Sequence, residues 1–151
     1  MVDLLYYGST EGGDEYFAQR LRATSWTGAE DADKLKALKE ATQRIDLLAF
    51  KGSKTDEDQE LQMPRDGDED VPVQIEQAAY ELAIALLDDI DPDAEARNLG
   101  VTSESYSSVR TTYDRTVLDE GTAAGIPSRM AWLLLKPFLR DPGEITLSRV
   151  S

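Results

Sequence analysis

Cysteine and histidine are both missing from this 151-residue chain. Without thiols there is no disulfide framework and no thiolate metal site. Without imidazole, the commonest general base and the commonest transition-metal ligand are lost together. Aromatic residues are sparse at 7%, and 16 basic residues face 30 acidic ones, for a formal charge of −14. Nucleic acid is gripped mainly by neutralising phosphates with Lys and Arg, so this imbalance repels DNA unless the cations cluster. They cluster once, at Lys34, Lys36, Lys39 and Arg44, interleaved with acids. On this count a firm grip on free DNA is disfavoured. Long apolar runs are missing too: the longest, Leu82 to Leu87, falls far short of the ~20 residues a membrane helix requires. The opening "MVDLLYYGST" has no basic segment ahead of an apolar one, so no signal peptide is expected and the protein should be made in the cytosol.

What is present suits one small domain. Forty per cent of the residues are apolar, and a chain of this length typically buries roughly 70% of its unfolded surface. After turn glycines, Tyr16, Phe17, Leu21 and Trp26 fall at helical spacing, with Thr10 or Asp14 as candidate caps. In "EDADKLKALKEATQRIDLLAF", Leu35, Leu38, Ala41, Ile45, Leu48 and Ala49 recur at steps of three and four, which predicts a second helix. A polar stretch, 51–71, reads as a loop far longer than the usual ~4–6 residues, and such loops are functional, disordered or linkers. Pro72 opens a third helix whose apolar face is Ile75, Ala78, Ala79, Leu82, Ala83, Leu86 and Leu87. Pro92 ends that run. From Val101 to Tyr113 the alternation of Val109, Thr111 and Tyr113 with polar neighbours predicts a strand or hairpin. A last helix is predicted from Pro127 through Met130, Trp132, Leu133 and Leu135, interrupted by Pro137. The predicted fold is therefore mainly α: about four helices, a short β element and an extended C-terminal tail over 138–151. Segment 1–12 precedes the bundle.

Each candidate chemistry was weighed on spacing. Asp66, Asp68 and Asp70 alternate as an EF-hand loop begins, but Val71 and Gln77 stand where the motif requires glycine and glutamate. Asp89, Asp91 and Asp93 fail in the same way at Ala94 and Gly100. No metal and no cofactor are expected. The chain also lacks GxSxG, P-loop and GxGxxG motifs, so no catalytic residues are assigned and no enzyme is expected. Trp26 and Trp132 could stack on bases, though Trp132 lies in an apolar run and reads as core; Tyr6, Tyr7 and Tyr106 are freer. The acidic balance also suits a DNA mimic or the wall of a channel through which DNA slides without sticking.

The order of features resembles that of the small head–tail connector proteins of tailed bacteriophages. These features are Tyr16–Phe17 in an early helix, then Ala41, Thr42, Ile45, Asp46, Phe50 and Gly52 closing the next. Gln59, Leu61, Pro64 and Arg65 follow in the loop, ahead of Pro72, Ile75, Ala78, Glu81, Leu82, Ala83 and Leu86. Val109 and Tyr113, then the run from Trp132 to Leu135, complete the pattern over roughly residues 13 to 140. Phage proteins of similar pattern also carry the label DnaT-like single-stranded-DNA-binding protein, which is the alternative reading; an acidic DNA mimic is another.

The connector resemblance implies a virion protein of the neck: a ring, dodecameric in such families, beneath the portal, extending the DNA channel and meeting a tail or neck completion protein. Assembly would take place in the host cytoplasm, with packaged DNA passing unbound and no membrane involved. It places the portal contact on Phe138, Leu139, Arg140, Ile145, Leu147, Arg149 and Val150. It makes Leu61, Met63, Pro64 and Arg65 a loop that pins itself to the bundle or to an adjacent subunit, with Arg65 paired to an acid. It turns Asp66, Asp68, Glu69 and Asp70 towards the channel or solvent.

Overall fold

The computed structural model describes residues 4–105 and 117–140. Seven helices make up its regular structure: α1 (Thr10–Ala18), α2 (Thr24–Thr27), α3 (Asp31–Ile45), α4 (Val73–Leu87), α5 (Pro92–Ser105), α6 (Val117–Ala123) and α7 (Arg129–Leu135). A 3-10 turn, Lys136–Phe138, follows directly. The mainly helical expectation holds. Its β element does not: among the described residues there is no strand, only the isolated bridges Phe50–Leu139 and Lys54–Arg65.

Local chemistry explains where these helices start. Ser9, rather than Thr10 or Asp14, caps α1 by accepting from the Gly12 N–H at 2.9 Å. Ser128 does the same for α7 through Ala131 N–H at 3.2 Å. Asp31 and Asp33 lie in the first turn of α3 and Arg44 in its last, each favourable to the helix dipole. Pro92 does end the run of α4, as expected, yet it also opens α5. There the Asp91 carboxylate accepts from the N–H groups of Asp93 and Ala94, and Pro sits at the first helical position where a missing N–H costs nothing. Residues 101–105, predicted as strand, continue that helix. Val109, Thr111, Tyr113 and the tail beyond Arg140 lie outside the described residues.

The core forms where α4 meets α3 and α7. Ile75, Ala78, Ala79, Leu82 and Ala83 of α4 are fully buried, and the three alanines let the neighbouring backbones approach. Leu38, Ala41 and Ile45 oppose them from α3, and Ala131 and Leu135 from α7. Trp26 does not continue the α1 stripe but sits in its own short helix, completely buried, edge-on to Tyr80 and tilted against Phe17. Its indole N–H donates to Asp14, which also takes the Lys34 ammonium at 2.8 Å. Glu81, 2% exposed, accepts from the Arg20 guanidinium and the Tyr16 hydroxyl inside the core.

The acidic loop is a folded part of this unit, not a solvated linker. Asp66 N–H donates to Ser53 O at 2.8 Å, Thr55 N–H to Pro64 O at 3.1 Å, and the Gln59 amide to the carbonyls of Leu61 and Pro64. Gly52 has φ +73°, and a Cβ there would lie 2.2 Å from the Asp66 carboxylate, so only glycine fits. Met63 is buried in this chain's own core, with Leu61 half-buried beside it. Arg65 does not pair with an acid as expected: its guanidinium donates to the carbonyls of Lys51, Gly52 and Gln62.

Candidate functional site

A groove of about 940 Å³ runs along α3, walled by the N-terminal segment on one side and the start of the 60s on the other. Leu4, Leu5 and Leu47 form its apolar wall and are strongly exposed, Leu47 by 82%. Lys36, Lys39, Gln43 and Arg44 supply the polar side, together with Glu40 and Glu60. Positions 36, 39/40 and 43/44 repeat at three and four residues, so one face of α3 carries them, and Leu47 follows just past the helix end.

Lys34 and Arg44, of the four clustered cations, are each bound to an acid of another segment. Lys34 is buried, bonded to Asp14 and 5.4 Å above the Trp26 ring. Arg44 is bidentate to Asp93 of α5, with N–O distances of 2.9 and 3.2 Å. That contact raises the Arg44 pKa further and lowers that of Asp93. Lys36 is exposed, and Lys39 lies 6.0 Å over the Tyr6 ring at the groove's edge. This side of α3 thus offers ammonium groups, a guanidinium and apolar side chains within one concave surface.

The groove's floor is fixed by a polar cluster that spacing alone does not reveal. Tyr7 N–H donates to Thr42 Oγ1 at 2.9 Å, and the Tyr7 hydroxyl donates to Asp46 Oδ1 at 2.5 Å. The same hydroxyl accepts from Met63 N–H, and Asp46 Oδ2 accepts from Gln62 N–H. Burial, joined by the Asp46 contact, pushes the Tyr7 phenol far above its usual range, so it remains a donor. One hydroxyl joins the N-terminal segment, the end of α3 and the acidic loop.

Several assignments therefore change. Tyr7 is 1% exposed and cannot stack on a base, contrary to its reading as a free aromatic. Tyr6 is half-buried with a lysine above its ring, and Tyr106 lies outside the described residues. Trp26 and Trp132 are both core. Asp66, Asp68, Glu69 and Asp70 are exposed, with Asp66 turned back to the Ser53 N–H. Phe138 and Leu139 pack on this chain's core, and Arg140 N–H donates to Ala49 O. Ile145, Leu147, Arg149 and Val150 lie outside the described residues. Leu4, Leu5, Gln43 and Leu47 were not singled out; the only signal was an apolar Leu4–Leu5 pair ahead of the tyrosines that no predicted helix accounts for.

A family model described as "Putative DnaT-like ssDNA binding protein" matches residues 6–150. No curated protein and no solved structure matches. The family match overturns the head–tail connector reading, with its virion, neck and portal-binding roles, in favour of the alternative. Phe138, Leu139 and Arg140 are engaged by Phe50, Ala49 and Lys51 of the same chain.

Proposed function

Because this chain belongs to the putative DnaT-like ssDNA-binding family, we propose that it binds single-stranded DNA and that the groove along α3 is where the strand lies. The observation that carries the placement is Lys36 and Lys39 standing on the rim of an apolar concavity. A single strand offers both things such a surface needs: phosphates for the ammonium groups, and unpaired base faces for Leu4, Leu5 and Leu47. Gln43 supplies a donor and an acceptor for a base edge. A duplex keeps its bases stacked inside and presents mostly phosphate, against which this acidic molecule has little to set. The protein should therefore prefer single strands.

Few cations means few phosphates neutralised. Each phosphate contact on a single strand contributes a slope of about −0.7 in log K against log salt. Above roughly 0.1 M salt the two lysines alone predict a slope near −1.4, shallow for a nucleic-acid binder. Fluorescence anisotropy with a labelled oligothymidylate of about 16 nucleotides, long enough for one site, tests the reading. Replacing Lys36 and Lys39 together by Gln should weaken binding roughly tenfold or more, the size expected for lost charge-assisted contacts. Equal affinity for duplex and single strand, or no response to the double substitution, refutes it.

A further inference from the structure

We propose that Arg44 is the phosphate-gripping residue of this groove and that Asp93 occupies its guanidinium until a strand displaces it; the inference rests on the single-stranded-DNA reading above. Arg44 lines the groove from the last turn of α3, eight residues beyond Lys36, or about 12 Å along the helix axis. Its planar fork grips Asp93 through two parallel N–H to O bonds. The same fork fits two phosphate oxygens as well as it fits two carboxylate oxygens, which a lysine cannot match. Asp93 is thus placed as an internal stand-in for the phosphate.

The exchange costs little on either side. The Asp93 side chain is 66% exposed, and an exposed pair holds weakly. Once released, Asp93 remains in the first turn of α5, where the helix dipole continues to favour its charge. Arg44 is partly exposed at the groove and reachable from it. Glu40 and Asp91 also raise the charge preference of Arg44 and share its surroundings, but the bidentate contact is to Asp93.

The test is anisotropy with the same oligothymidylate on the wild type and on Asp93→Asn, Glu95→Gln, Arg44→Gln and the Arg44→Gln/Asp93→Asn double variant. Releasing Arg44 by Asp93→Asn should tighten binding about two- to fivefold, the range over which an exposed pair competes. Above roughly 0.1 M salt, where the screening length is about 10 Å, Asp93→Asn should keep the wild-type slope, whereas Arg44→Gln should flatten it by about 0.7 as one phosphate contact is lost. Glu95→Gln removes the same charge from the same helix without freeing a guanidinium and should do less. In the Arg44→Gln background the gain from Asp93→Asn should vanish. If Glu95→Gln matches Asp93→Asn, or the gain survives without Arg44, bulk charge explains it and the latch is overturned. If the wild type binds through Lys36 and Lys39 but ignores Asp93→Asn, the latch fails while the binding reading stands. If neither the wild type nor any variant binds, both fall.

Discussion

Asp46 is a carboxylate drawn into the fold by its donors. Burial is the largest influence on it and raises its pKa above the ordinary 3.8, while the Tyr7 and Gln62 hydrogen bonds pull the other way. A raised acid binds protons more readily folded than unfolded, so its ionisation costs stability as pH rises through the folded value. Acidification from neutral towards 3.8 should therefore remove a cost at Asp46. Asp14 behaves oppositely, because Lys34 and the Trp26 N–H hold its pKa below 3.8. Its contribution is present above the ordinary value and is lost as pH falls through the lowered one. Urea midpoints measured at several pH values should show the wild type gaining on Asp46→Asn as pH falls from neutral towards the aspartate range. Parallel curves for the two would mean Asp46 is not perturbed as described. None of this cluster was legible from spacing. Tyr7 reads as a free aromatic in sequence because its partners Thr42, Asp46 and Met63 lie 35 to 56 positions away.

At the scale of elements, α1 shows how a neighbour reverses a propensity. Glycine in a helix ordinarily costs about 1 kcal/mol relative to alanine. At Gly13, however, a Cβ would lie 2.3 Å from Trp26 Cζ2 and 2.7 Å from Cη2, and Trp26 is a fully buried ring locked by Asp14. Gly13→Ala should thus destabilise, by roughly 1–3 kcal/mol, as overpacked cores do. In a domain of this size that lowers the thermal midpoint by about 2–4 °C per kcal/mol. A higher midpoint for the alanine variant would show that the indole can retreat. The helices with clean periodicity, α3, α4 and α7, were readable from sequence because their buried faces repeat at 3.6 residues. The start of α5 was not, since Asp-Pro both stops one helix and starts the next, and only tertiary context says that a second follows. Within α6, Gly121 leaves no room for a side chain, since a Cβ there would come within 2.8 Å of the Trp132 ring.

For the whole molecule, a formal charge of −14 sets the terms on which any polyanion can approach. Long-range repulsion and short-range attraction to Lys36 and Lys39 respond differently to salt. At about 0.01 M the screening length is about 30 Å, so the strand feels the entire acidic surface; at about 0.1 M it is about 10 Å, and the rim cations dominate locally. Affinity for single strands should consequently pass through a maximum between those concentrations rather than rise steadily as salt is removed. A titration series across that range checks this, and a monotonic rise towards low salt would mean that more cations engage the strand than the groove supplies. Composition made the repulsion plain but not its exception. Lys34, Lys36, Lys39 and Arg44 look alike in sequence, and only the fold separates the buried pair-former Lys34 from the groove-facing Lys36.

The place of Leu4 and Leu5 on the wall of the groove bears on how the protein is handled at the bench. Any affinity tag or fusion partner joined ahead of Leu4 emerges beside Lys36 and Lys39, where an oligohistidine or acidic leader can cover the surface that an assay is meant to probe. Cleaving the handle before measurement keeps that entrance clear.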